Sequence, residues 1–220
     1  VEERLNDIEV RVLGVLMEKE KTTPEYYPLT LNALTRACNQ KSNRNPVVSF
    51  DETTVVRTLD KLTFERDLVK RVMSDDSRVA KYRHDFRESL TLDEREMAVL
   101  CILILRGPQT VGEIRGRTER LFLFESLGEV EATLTRLANR DTGSLVTKLP
   151  RQAGRKEARF AHLLAGEIEV DEIESTEPAV VEVVAENERM DGLEAEMEQM
   201  KEELERLKAQ FQEFKRQFEY

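Results

Sequence analysis

The 220-residue sequence has no tryptophan, two cysteines, two histidines, nine glycines and six prolines, and each scarcity excludes something. Two cysteines cannot staple a small secreted scaffold. Cys38 and Cys101 lie inside apolar helical runs, as small buried hydrophobes of a reducing compartment do. The isolated His84 and His162 add no zinc-ligand spacing, and no Cys-x-x-Cys, His-Glu-x-x-His, Walker-type loop or dinucleotide fingerprint occurs. No cofactor or metal is expected, and with no converging nucleophile and base, no enzymatic activity is expected either. The longest apolar run, Met97 to Leu105, is about half of the ~20 residues a bilayer span requires, and the opening residues lack the order of a secretory signal. The sequence reads as cytoplasmic, with no membrane partner.

What is present is charge, at 35% of residues, over 40% hydrophobic ones, the balance of a helix-rich globular chain. The net charge of −10 is unevenly placed: residues 1–88 hold sixteen basic and sixteen acidic side chains, residues 89–166 twelve and ten, residues 167–220 six and eighteen. The acidity belongs to the tail, and the remainder is free to meet a polyanion.

One pattern occurs twice. Glu9 to Leu16 aligns with Glu96 to Leu103, Thr58 to Leu62 with Thr133 to Leu137, and Ala80 to His84 with Ala158 to His162. Within each copy a capping residue precedes apolar residues at helical spacing, often with an acid three positions on: Asn6 with Glu9 and Thr91 with Glu94 for the first helices, Thr30 and Thr110 with Glu113 for the second, Asp51 and Ser126 with Glu129 for the third. Two short β-rich runs follow, Leu68 to Met73 with Val79 to Tyr82, and Leu145 to Leu149 with Arg159 to Leu163. The expected fold class is mostly α with small β-hairpins (α+β): tandem winged helix-turn-helix domains at 1–88 and 89–166, an acidic linker at 167–188 and a C-terminal coiled-coil helix at 189–220. An unrelated three-helix unit with a hairpin has the same element string.

Particular strings add a likeness. Thr23-Pro24-Glu25-Tyr26-Tyr27-Pro28-Leu29, Ala37 through Val47, Leu105 through Arg115, and Gly154 through Arg159 running into His162-Leu163 resemble the bacterial YceH-like proteins of unknown function. The likeness covers about residues 5–166. It implies a tandem winged-helix fold with a helical extension, and it implies no activity and no catalytic residues.

In the tail, Met190, Leu193, Met197, Met200, Leu204, Leu207, Phe211, Phe214 and Phe218 alternate at spacings of three and four, a coiled-coil seam. A parallel homodimer sets Arg189 against Glu194, Glu196 against Lys201 and Glu203 against Lys208, all attractive. The alternatives are a helix folded back on its own body, or a higher oligomer.

For a winged helix the contact elements toward double-stranded DNA are the third helix and the wing. The second copy supplies Arg115 and Arg117 on its second helix, Arg136 and Arg140 on its third, and Arg151, Arg155 and Lys156 in its wing, where Gly154 permits a tight tip. Pairing with Glu131 and Glu157 on a solvated surface is the alternative for these cations. The first copy places Asp75 and Asp76 at its wing tip, which repels phosphate. Its polar run Asn39, Gln40, Lys41, Asn43, Arg44 either meets bases or a partner protein, or caps its own turn before Pro46. The Tyr26-Tyr27 pair reads as a packed turn between prolines or as a base-stacking platform. Together these features point to a dimeric DNA-binding regulatory or chromosome-associated protein that works mainly through its second domain. The competing reading is a protein-interaction scaffold that binds no nucleic acid.

Overall fold

Two helices with apolar residues on every side dictate the centre of the molecule, because a helix without a polar face has to be surrounded. These are α1 (Asp7–Thr22), buried from Glu9 to Met17, and α5 (Glu94–Arg106), buried from Glu96 to Leu105. In the computed structural model, which describes residues 4–74, 77–151 and 157–166, they pack on each other and their side chains belong to one hydrophobic core. Gly14 sets their separation: a Cβ there would lie 2.3 Å from Ile104 Cγ2. Lys21 at the end of α1 pairs with Glu94 at the start of α5 at 2.9 Å, so the two helices run in opposite senses.

The helix starts follow the capping grammar. Asn6 accepts from the Ile8 and Glu9 backbone N–H groups, while Glu9 accepts from that of Asn6 at 2.8 Å. Thr30 caps α2 (Leu31–Cys38), Asp51 caps α3 (Glu52–Asp60), and Thr110 with Glu113 closes a capping box on α6 (Val111–Arg117). Ser126 caps α7 (Leu127–Ala138). One start differs from expectation. α5 is opened by Asp93 with Glu96 rather than by Thr91 with Glu94, because Thr91, at φ 51°, ends a short helix α4 (Phe86–Leu90) that the apolar pattern did not reveal.

Each half closes with antiparallel strands. In the first, α3 runs into a π-helical turn at Lys61–Glu65, then β2 (Val69–Ser74) and β3 (Ser77–His84) pair with Val69 opposite His84. A two-residue β1 (Leu29–Thr30) adds to the other edge of β3, with Leu29 opposite Tyr82. In the second, β4 (Val146–Lys148) and β5 (Phe160–His162) pair with Val146 opposite His162. Gln109, directly before α6, exchanges backbone hydrogen bonds with Phe160 at 3.0 and 2.7 Å, just as Leu29 before α2 faces the aligned Tyr82. The duplication visible in the sequence therefore extends to a bridge of one or two residues. The linker 167–188, the heptad residues from Met190 to Phe218, Arg155, Lys156, and Asp75 with Asp76 lie outside the described residues. No helix among the described residues is long and apolar enough to cross a membrane.

Candidate nucleic-acid interface

Four of the arginines expected to face a phosphate backbone in the second half, Arg115, Arg117, Arg136 and Arg140, are engaged within the protein. Arg136 donates to Asp93 Oδ2 at 3.0 Å and to Glu96 Oε1 at 3.4 Å, joining α7 to the cap of α5. Arg140 donates to the Leu90 carbonyl and lies 3.9 Å from Glu96. Arg117 donates to the Gln109 side chain and lies 3.9 Å from Glu113. Arg115 closes the loop before α7 through the carbonyls of Phe124 at 3.3 Å and Glu125 at 3.1 Å. Such pairs are individually weak where exposed, and Arg136 remains half-exposed, but each must be exchanged before a phosphate can take its place. Arg151 is exposed.

The polar run of the first half is built inward. The Asn39 amide bridges Phe50 in both directions, donating to its carbonyl and accepting from its N–H, each at 2.8 Å. Arg44 has a fully buried side chain that forks onto Glu18 at 3.0 and 2.6 Å, with Gln40 Oε1 accepting from it at 2.7 Å. Burial pushes the Glu18 carboxyl up, but the Arg44 hydrogen bond and charge outweigh it and hold the group below its ordinary range. Asn43, at φ 58°, accepts from Arg106, and the Asn45 N–H donates to the Leu105 carbonyl at 2.8 Å. The run thus clamps the end of α5 to the first half, and Lys41 is its exposed member.

Other candidate groups take equally internal places. The Tyr27 hydroxyl accepts the His84 backbone N–H at 2.8 Å, so this tyrosine packs the turn, while Tyr26 is 71% exposed. His84 Nε2 lies 3.2 Å from Glu20 Oε2. Burial lowers His162 to about 4. Cys38 and Cys101 are buried, and desolvation pushes the Cys38 thiol up to about 12, the opposite of what a nucleophile requires. Among the described residues no three His, Cys, Asp or Glu side chains are grouped to hold a metal ion.

Besides Arg151, a group of unengaged cations lies in the first half, where the sequence drew least attention. Arg57 and Lys61 lie one helical turn apart on the exposed side of α3 and its extension, with Thr53 before them and Phe64, 77% exposed, after them. Arg36 is exposed on α2 and Arg71 on β2. Among the described residues none of these four cations, nor Lys41, makes an ion pair or hydrogen bond. Spacing shows where a cation sits and not what it meets, and the partners that occupy Arg136 and Arg140 come from segments forty to fifty residues away.

The family model described as a protein of unknown function, DUF480, matches residues 5–155. The chain belongs to this family. Among its relatives, a UPF0502 protein of Geotalea uraniireducens is 57% identical over 200 residues, covering 90% of each chain. One from Geobacter sulfurreducens is 55% identical over 196 residues, 88% of each, and one from Solibacter usitatus 55% identical over 195 residues, 88% of this chain and 91% of the relative. The DUF480 match agrees with the resemblance carried by the tyrosine-proline and asparagine-rich strings.

Proposed function

We propose that the chain is a DNA-binding protein with a regulatory or chromosome-associated role, built from two winged helix-turn-helix modules and paired as a homodimer through its C-terminal heptads. One observation carries the reading: both halves place a capped helix with a solvent-facing side, α3 or α7, directly before an antiparallel hairpin, with a strand-like bridge ahead of the second helix. A helix and a hairpin offered together suit a groove and its flanking phosphates. In the second half the connection between β4 and β5 adds Arg151, Arg155 and Lys156 as phosphate contacts.

The test is fluorescence anisotropy of a mixed-sequence duplex of roughly 30 base pairs, titrated with the full chain between about 50 and 200 mM salt. Binding that weakens steeply with salt supports the reading, and no binding at the lowest salt defeats it. A protein-interaction scaffold is the second reading, favoured by the internal engagement of Arg115, Arg117, Arg136 and Arg140. Capture of the same partner from lysate before and after nuclease treatment favours the scaffold, whereas capture lost on nuclease treatment favours DNA.

A further inference from the structure

We infer that the first half, through α3 and β2, carries the principal duplex-DNA contact, with Arg57 and Lys61 on the helix and Arg71 on the strand, an assignment that rests on the DNA-binding reading above. A cation contributes to polyanion binding by releasing condensed counterions, and it does so fully only if it has no internal partner to give up. In the second half Arg136 and Arg140 share Glu96, Arg117 meets Glu113, and Arg115 holds two carbonyls, so each starts from a satisfied state. Arg57, Lys61 and Arg71 are exposed and, among the described residues, give up no hydrogen bond or ion pair, although the charge of Asp51 lies near Arg57.

Geometry keeps the three together. The Leu68 N–H donates to the Leu62 carbonyl at 2.9 Å, so the chain turns sharply at the end of the helical extension and β2 leaves from where Lys61 sits. At about 3.3 Å per residue, Arg71 is about 10 Å along from that turn. Arg57, one turn before Lys61 on a helix capped by Asp51, has the planar fork that reads a guanine edge in the major groove, and Lys61 and Arg71 suit phosphates. Glu52, Asp60 and Glu65 share the exposed side of this segment, so the surface is a line of discrete contacts and not a uniform basic field. Such a surface binds arbitrary duplex measurably at low salt and adds discrimination between sequences, since misplaced phosphates meet carboxylates.

The experiment compares two full-length variants that remove equal charge: Arg57→Ala/Lys61→Ala/Arg71→Ala, and Arg151→Ala/Arg155→Ala/Lys156→Ala. Arg57, Lys61, Arg71 and Arg151 are exposed, and thermal unfolding of each variant verifies that its fold is kept. With the mixed-sequence duplex, the first variant is expected to lose about tenfold or more in affinity at low salt, to lower the salt slope by about 2 to 3, and to lose more than the second. A loss no greater than that of the second variant overturns the assignment while leaving DNA binding intact. Failure of the wild-type chain to bind overturns the DNA-binding reading itself.

Discussion

Gly14 and Cys101 occupy the same position in the two copies of the repeat, and in the folded chain they meet: Cys101 Sγ lies 3.6 Å from the Gly14 carbonyl oxygen. The neighbouring contacts are exchanged in the same way. Ile104, which aligns with Met17, packs on Gly14, while Met17 lines one cleft with Cys101. Asn43 and Asn45, after the second helix of the first half, hold the end of α5, while Leu121, after that of the second half, lines the cleft at the end of α1. The two halves therefore pack as approximate counterparts across the α1–α5 contact.

Gly14→Ala is expected to destabilise the protein by about 1 to 2 kcal/mol in urea unfolding, even though alanine is the better helix former, because the new methyl overlaps Ile104. Ile104→Ala in the Gly14→Ala background should then cost less than Ile104→Ala alone. A more stable Gly14→Ala protein contradicts the close crossing.

Arg44→Met is expected to cost about 3 kcal/mol, since it leaves the Ala37 carbonyl without its buried donor and removes the forked partner of Glu18, to which Lys19 at 3.2 Å is a single-point substitute. Because Glu18 is held below its ordinary range in the folded state, its contribution is complete above the ordinary carboxylate value and fades as pH falls toward the lowered one. Glu18→Gln should flatten that part of the acid limb, measured as midpoint against pH.

Burial disfavours the imidazolium and lowers His162 from the ordinary histidine value of about 6.5 to about 4 in the folded chain. The unfolded chain takes up the proton first, so stability is full above about pH 6.5 and declines as pH falls toward 4, by no more than about 3 kcal/mol. His162→Gln should remove this decline, and an unchanged profile between pH 7 and 4 would speak against a buried neutral ring.

If the heptads pair two chains as proposed, removal of residues 186–220 is expected to convert a dimer to a monomer in sedimentation while leaving the thermal transition of the body near its original midpoint. A full-length chain that is already monomeric contradicts the seam from Met190 to Phe218 as a pairing element.

The capping boxes at Asn6 and Thr110, the caps at Thr30, Asp51 and Ser126, and both hairpins were legible because each is written within a few consecutive residues. Thr91 misled for a local reason, since an equally good pair begins two residues later at Asp93. β1 was too short to show alternation. The electrostatic roles were not legible. Arg140 meets Leu90 fifty residues away and Arg44 meets Glu18 at twenty-six, so the sequence offered charge without showing which charges were already spent.

Because the helices that most closely match between the copies are also the ones sealed together, the inside of the molecule ties the repeats to a common design while their outer helices escape it. Lys61 and Arg136, aligned in sequence, have already parted ways, one left bare and the other fastened to Asp93 and Glu96. Fused in one chain, each outer helix can change its surface independently of its twin, which separate identical subunits cannot do.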